Sequence, residues 1–279
     1  MKKTAFAPLI PILFALLLAA CGGKVKGDKP VITVTIEPLR HFTEAIAGDR
    51  YTVNVMVPKG GSPETYEPTP RQMAEVAASA LYIKVGDMGF ERTWFKRIQD
   101  DMPHLIILDS SAGIARERSI NGVPDPHTWM SVANAWAIAN NICDQLQKID
   151  PNHAAEYEHN LQQFRLELQQ LDDDIRAALA KSGAKAFAIY HPALTYFARD
   201  YGLTQIPIEE EGHEPTARTM ADVVGMAKEK QVKTLFVQAG YDNRQTEAVA
   251  HELGVESTPV TPLAYDWEAA MRDIAANLK

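Results

Sequence analysis

Between Asp150-Pro151 and Gly183 the chain carries an unbroken helical pattern, in which Tyr157, Leu161, Phe164, Leu168, Leu171, Ile175 and Ala178 recur at alternating steps of four and three. That spacing lays all seven on one apolar stripe. Asp followed by Pro is a helix start, and Gly183 is a stop. About 30 residues at 1.5 Å each make a rod of roughly 45 Å, enough to cross a whole domain. Such a stripe needs a partner surface along its full length. A coiled-coil dimer would supply one, but about three and a half heptads set among strand-and-helix alternation favour packing along two lobes of one molecule, and hence a monomer.

On both sides of the rod, short β-branched runs alternate with helical periods. Before it, strands are expected at Val31 to Ile36, Tyr51 to Val57, Leu81 to Val85 and Leu105 to Leu108. Helices are expected from the segment ending at Gly48, at Pro70 to Ala80, at Phe90 to Gln99 and at Val132 to Gln147. After it, strands fall at Ala186 to Ile189, Thr204 to Ile208, Thr234 to Val237 and Val255 to Val260. The helices between and after them span Leu194 to Tyr201, Arg218 to Lys230, Asn243 to Leu253 and Trp267 to Leu278. Such alternation means βαβ units and mainly parallel sheets. The expected fold is therefore α/β: two lobes, residues 31–148 and 184–279, joined by one long rigid helix over 149–183. Open parallel sheets bind ligands beyond the carboxyl ends of their strands, and pockets favour domain interfaces. The loops after strands are the place to look for a site.

The chain begins Met1-Lys2-Lys3 and is almost wholly apolar from Ala5 to Ala20. A basic start and a short apolar run are an export signal in length and order, and the run is shorter than a membrane span. Leu18-Ala19-Ala20-Cys21 resembles the bacterial lipobox, which implies cleavage before Cys21 and acylation of that cysteine; a plain secretory leader is the alternative. Residues 1–20 are then leader and 21–30 a Gly- and Lys-containing tether. The only other cysteine, Cys143, lies in an apolar-periodic stretch and reads as a core residue. The formal net charge is −8, an acidic field that suits cations and makes nucleic acid an unsuitable partner.

Four loops after strands carry metal-competent side chains: Glu64 and Glu67 in the first, His127 in Asp125-Pro126-His127-Thr128-Trp129, His191 in Tyr190-His191-Pro192, and Asp242 in Tyr241-Asp242-Asn243-Arg244. Imidazole with carboxylate suits a borderline divalent ion such as Zn²⁺ and also serves Mn²⁺. Singly each residue has an ordinary structural reading, and Asp242 is equally a helix N-cap. The spacing alone, with no HExxH, zinc-finger pattern or His-rich run, identifies no site.

Several segments together are more specific: Glu44-Ala45-Ile46-Ala47-Gly48-Asp49-Arg50, Ser62-Pro63, Tyr66-Glu67-Pro68-Thr69-Pro70, Asp125-Pro126-His127-Thr128-Trp129, Tyr196-Phe197-Ala198-Arg199-Asp200-Tyr201-Gly202 and Glu214-Pro215-Thr216-Ala217. In this order they resemble the metal-receptor family of zinc, manganese and iron ABC transporters, sometimes described as adhesins, over the mature chain. The resemblance implies two lobes bridged by a long helix, with the metal between them. By position it implies ligands at His127, His191 and Asp242. The first family ligand is usually a histidine, and this sequence has Glu64 there.

The expected set is thus Glu64, His127, His191 and Asp242. Zinc is favoured because the second lobe offers an imidazole where manganese members tend to have Glu, with manganese or iron the alternatives. His213, in the acidic segment Glu209 to Pro215, is a spare ligand on what reads as a solvated edge. His41, His104, His153, His159 and His251 read as surface residues; Trp94, Trp129 and Tyr66 wall the cleft or fill the core. The family resemblance further implies an exported, lipid-anchored receptor at the periplasm or cell surface, delivering its ion to a permease with an ATPase. One rigid linking helix implies a small closing motion. An adhesin with a structural metal is a second reading. A metalloenzyme is the rival of another class, and no nucleophile elbow, paired helical carboxylates or phosphate-binding glycine loop supports it, so the chain is not expected to be an enzyme.

Overall fold

Short apolar runs, buried along the inner strands and partly exposed along the edge strands, build two four-stranded sheets in which every pairing is parallel. The protein, represented by a computed structural model, is described over residues 29–118, 122–209, 216–238 and 244–279. The predicted leader, Cys21, His213 and Asp242 lie outside these residues.

The first lobe contains β1 (Val31–Val34), α1 (Glu37–Ala47), β2 (Thr52–Val55), α2 (Pro70–Ala77), β3 (Leu81–Lys84), α3 (Gly89–Asp101), β4 (Ile107–Asp109) and α4 (Val132–Ile149). After the long α5 (Ala154–Ser182) come β5 (Ala186–Ile189), α6 (Thr195–Tyr201), β6 (Thr204–Pro207), α7 (Ala217–Glu229), β7 (Leu235–Gln238), α8 (Arg244–Leu253), β8 (Ser257–Val260) and α9 (Trp267–Asn277). The sheet orders, β2-β1-β3-β4 and β6-β5-β7-β8, repeat the same topology in both lobes.

Alternation along each strand divides its side chains between two cores. In β5, Phe187 and Ile189 face the central core, while Ala186 and Ala188 face an outer one with Ile206, Leu235 and Val237. In β3, Leu81 and Ile83 face the central core and Tyr82 an outer one with Phe90 and Phe95. The central core is continuous across both lobes. It runs from Ile32 and Phe42 through Leu168 and Leu171 to Trp267 and Met271.

The rod behaves as its stripe requires. Tyr157, Leu161, Phe164, Leu168, Leu171 and Ile175 are buried, and Ala178 packs at the margin. α5 lies against α1 and α4 of the first lobe and α9 of the second, so its apolar face is covered within one chain. Its start differs from expectation: Pro151–His153 forms a 3₁₀ turn and the α-helix begins at Ala154. The Asp150 carboxylate does not cap the backbone, because it pairs with His153 Nδ1 at 2.7 Å and accepts from Tyr157 Oη at 2.6 Å. Gly183 ends the helix at φ 69°, a left-handed conformation that costs glycine little.

Leu168 is fully buried in the central core that both lobes share. Leu168→Ala is expected to destabilise the protein by about 2–5 kcal/mol, read as a lowered urea midpoint. An unchanged midpoint would mean that the lobes do not depend on this seam. Cys143 is buried in the same core, as expected, and burial pushes its thiol up to about 11.

Candidate metal site

The first-lobe histidine sits on a loop held rigidly from both lobes. Trp129, two residues on, is buried; its indole N–H donates to Pro262 O at 2.8 Å, and its own carbonyl accepts from Trp267 Nε1 at 2.9 Å. Ser131 caps α4 by accepting from Asn134 N, and Asn134 Nδ2 donates back to Thr128 O at 3.0 Å. Tyr196 Oη, from α6 of the second lobe, donates to Asp125 O at 2.8 Å. Within this frame Asp125 Oδ1 accepts from the His127 backbone N at 2.8 Å and pairs with His127 Nδ1 at 2.7 Å. An aspartate two residues before its partner makes this local turn readily.

The second-lobe histidine is placed by strand register. β5 and β6 pair with Ala186 opposite Thr204 and Ile189 opposite Pro207, and the backbone bonds continue through Ile208 N to Ile189 O and Glu209 N to Tyr190 O. The same register sets Glu209 beside His191, where its Oε1 lies 3.2 Å from His191 Nδ1. Glu209, expected on a solvated edge, is only 3% exposed. The sheet pairing extends past the end of β6 and draws the first residue of the acidic segment into the cleft.

The two histidines converge. His127 Nε2 and His191 Nε2 are 3.2 Å apart, with ring planes 75° from parallel. Each Nδ1 faces a carboxylate oxygen, and an ionised carboxylate only accepts, so the tautomer it favours has the proton on Nδ1 and leaves both Nε2 lone pairs for a cation. Two lone pairs at this distance call for a cation between them. Tetrahedral Zn²⁺ with Zn–N bonds of 2.0–2.1 Å separates two nitrogen ligands by about 3.3–3.4 Å, close to the spacing already present. Carboxylates on the far ring nitrogens are the usual orienting shell of such ligands.

The electrostatics agree. Burial disfavours the His127 imidazolium, but the charge and hydrogen bond of Asp125, with Glu64 and Glu209 further off, outweigh it and raise the pKa. Asp125 shows the converse: burial works against its charge, and His127 with Thr195 brings its pKa below the ordinary carboxylate range.

Glu64 is close enough for its charge to act on His127 but is engaged elsewhere. Its Oε2 accepts from Gly89 N at 3.1 Å, and Arg92 Nη2 lies 3.7 Å away. Among the described residues no group of three or more His, Cys, Asp or Glu side chains is gathered to hold an ion. The structure thus brings together His127 and His191, leaves the Glu64 carboxylate against the amino end of α3, and leaves Glu67 exposed. Trp129 stands beside His127 at 5.2 Å between ring centroids, whereas Tyr66 and Trp94 pack on the outer core of the first lobe. His104, His159 and His251 are exposed as expected; His41 and His153 are half-buried, His41 against Phe42, Phe164 and Tyr265. Asp125 and Glu209 were not singled out as functional from sequence. The signal for the first was its spacing from His127, and for the second the register between two strands.

Two parallel-sheet lobes on a long helix, with one imidazole from each lobe meeting between them, have the build of a metal-binding receptor. The model of the zinc-uptake complex component A family, described as periplasmic, matches residues 32–279, and the chain belongs to that family. It is a transport receptor and not an enzyme. It is 29% identical over 273 residues to the high-affinity zinc uptake system protein ZnuA of Bacillus subtilis, covering 89% of this chain and 85% of that one. It is 26% identical over 285 residues to the zinc-binding lipoprotein AdcA of Streptococcus pneumoniae, covering 94% of this chain and 56% of that longer protein. A crystal structure of ZnuA superposes with a TM-score of 0.84 at 35% identity, covering 89% of this chain and 97% of that chain. A cadmium-bound periplasmic metal-binding protein of Candidatus Liberibacter asiaticus, at 21% identity and TM-score 0.81, shares the fold.

Proposed function

We propose that this protein captures zinc outside the cytoplasm, holds it between the lobes through His127, His191, Glu64 and Asp242, and hands it to the permease of an ATP-driven transporter. The observation that carries this reading is the pair of imidazole Nε2 atoms 3.2 Å apart, each with its Nδ1 turned to a carboxylate. Two nitrogens at tetrahedral spacing favour Zn²⁺ over Mn²⁺, which prefers oxygen donors. The family assignment and the zinc-binding relatives support the same cargo. Loss of the gene should slow growth in medium depleted of zinc by a chelator, and added zinc should restore it. Tight binding with no growth defect would favour an adhesin with a structural metal instead.

The receptor works as a monomer, tethered to the membrane through an acylated Cys21. The self-contained packing of α5 supports the first point, and the Leu18-Ala19-Ala20-Cys21 sequence the second. Cys21→Ser should release the protein from the membrane fraction; retention there would remove the anchor. Cross-lobe bonds such as Trp129 to Pro262, Trp267 to Trp129 and Tyr265 to Glu44 favour a small closing motion dominated by loops.

Zinc must displace any proton held at the imidazole pair, so affinity should weaken as pH falls. Because the Asp125 pair raises the His127 pKa, the loss should begin above the ordinary histidine value of about 6.5. The apo protein has the opposite dependence: the His127–Asp125 pair stabilises it fully below the unfolded histidine pKa and loses that contribution as pH rises through the folded one. Zinc titrations across pH 5 to 8, paired with thermal denaturation of apo protein, would read both. A flat affinity profile would exclude the imidazoles as ligands.

A further inference from the structure

The Glu64 carboxylate is not idle in this structure. It sits against the amino end of α3, a 13-residue helix, with Oε2 accepting from Gly89 N at 3.1 Å and Arg92 Nη2 at 3.7 Å from the same oxygen. The adjacent Phe90 N donates to Pro63 O at 2.9 Å, so the Glu64 loop and the helix start are stitched together by backbone as well. The approach is close enough to need glycine: a Cβ at position 89 would lie 2.3 Å from Glu64 O and 2.6 Å from its Oε2.

The surface that receives Glu64 is itself firmly built. Buried Glu91 accepts from Val85 N at 2.7 Å, Gly86 N at 2.6 Å and Thr35 Oγ1 at 2.6 Å, which locks the turn between β3 and α3 to strand β1. Arg92 is in turn oriented by a hydrogen bond from Nη1 to the carbonyl of Asp87, a residue at φ 68° in the same turn. Helix amino ends favour carboxylates, and an arginine in the first turn adds to that pull. The site's first-lobe carboxylate thus has a competing seat, while His127 and His191 already face each other.

From this arrangement we propose that Arg92, with the amino end of α3, is a latch that holds Glu64 away from the ion, so that Arg92 sets zinc affinity and eases release. The inference rests on Glu64 being a zinc ligand. Capture then requires Glu64 to exchange Arg92 and the Gly89 N–H for the metal, and release is helped by the same groups taking it back. Glu64 keeps 30% and Arg92 53% of side-chain exposure, which leaves room for the exchange. An exposed ion pair is modest in strength, so the effect is a tuning of affinity.

The test is zinc affinity by competition with a chromophoric chelator on the full chain, in four variants: Arg92→Gln, Arg92→Lys, Glu64→Ala and the double variant Glu64→Ala/Arg92→Gln. Arg92→Gln should bind zinc about two- to five-fold more tightly. Arg92→Lys, keeping the charge, should stay nearer the parent. In the Glu64→Ala background, Arg92→Gln should change nothing. Removing a positive charge near a cation could tighten binding by itself, and the double variant separates the two causes. An equal gain with and without Glu64, no gain, or weaker binding in Arg92→Gln overturns the latch. Zinc affinity unchanged in Glu64→Ala also overturns it, while leaving the receptor standing on His127 and His191.

Discussion

Replacing His127 or His191 with alanine is expected to remove tight zinc binding while leaving the protein folded. The two Nε2 atoms are the pair already set at metal-bridging distance, and neither has a substitute among the residues of the pair. The loss should exceed the roughly 10–100-fold that removal of an outer-shell partner usually costs. The substitutions differ in their side effects. His127→Ala leaves Asp125, 9% exposed, without its ring partner, although the His127 backbone N and Thr195 still face it. Some loss of thermal stability therefore accompanies that variant. Competitive zinc titration with circular dichroism separates the two effects. Near-parental affinity in either alanine variant would remove that histidine from the site.

Asp125→Asn and Glu209→Gln should each weaken zinc binding by about 10–100-fold without touching a ligand atom. An ionised carboxylate can only accept, which keeps the imidazole proton on Nδ1 and the lone pair on Nε2. An amide can rotate and offer an N–H, which would stabilise the other tautomer and turn Nε2 into a donor. For Asp125 the carboxylate also accepts from the backbone N of His127, so the amide must choose between the two tasks. Glu209 acts on His191 from the neighbouring strand end and at a longer 3.2 Å, so its effect should be the smaller of the two. The measurement is the same competition assay across pH. Unchanged affinity in both variants would mean that the carboxylates brace the loops and do not tune the ligands.

The sequence carried the architecture because its determinants are local and periodic. A four-and-three stripe can be covered by only a few arrangements, and the observed burial of Tyr157 through Ile175 follows it residue by residue. Strand positions came from β-branched runs bounded by breaks, and all eight described strands lie at or within a residue of the expected runs. What escaped was non-local or depended on competition between partners. The chain turns helical at Pro151 as expected, but its first turn is 3₁₀ and the Asp150 side chain goes to His153 and Tyr157 instead of capping the backbone.

Of the site, the histidines were legible only through family resemblance, since a lone histidine after a strand has no distinctive spacing. Glu209 was misplaced because its burial depends on a strand register that joins residues 18 apart, and no local pattern reports it. Arg92 was invisible for a similar reason: its partner is on another loop, brought near by the close approach at Gly89. Composition indicated acidity but could not distinguish an acid that orients a ligand from one that is merely solvated.

A single zinc site built on the imidazole pair is tested by metal content followed by competitive Zn²⁺ and Mn²⁺ titration. The measurement should be made on the chain from Gly22 onward, which contains every described residue, and on its His127→Ala/His191→Ala variant. One tight zinc equivalent per chain is expected, with zinc preferred over manganese and both features absent from the double variant. Tight zinc binding that survives loss of both histidines, or no tight binding in the parent protein, would contradict it.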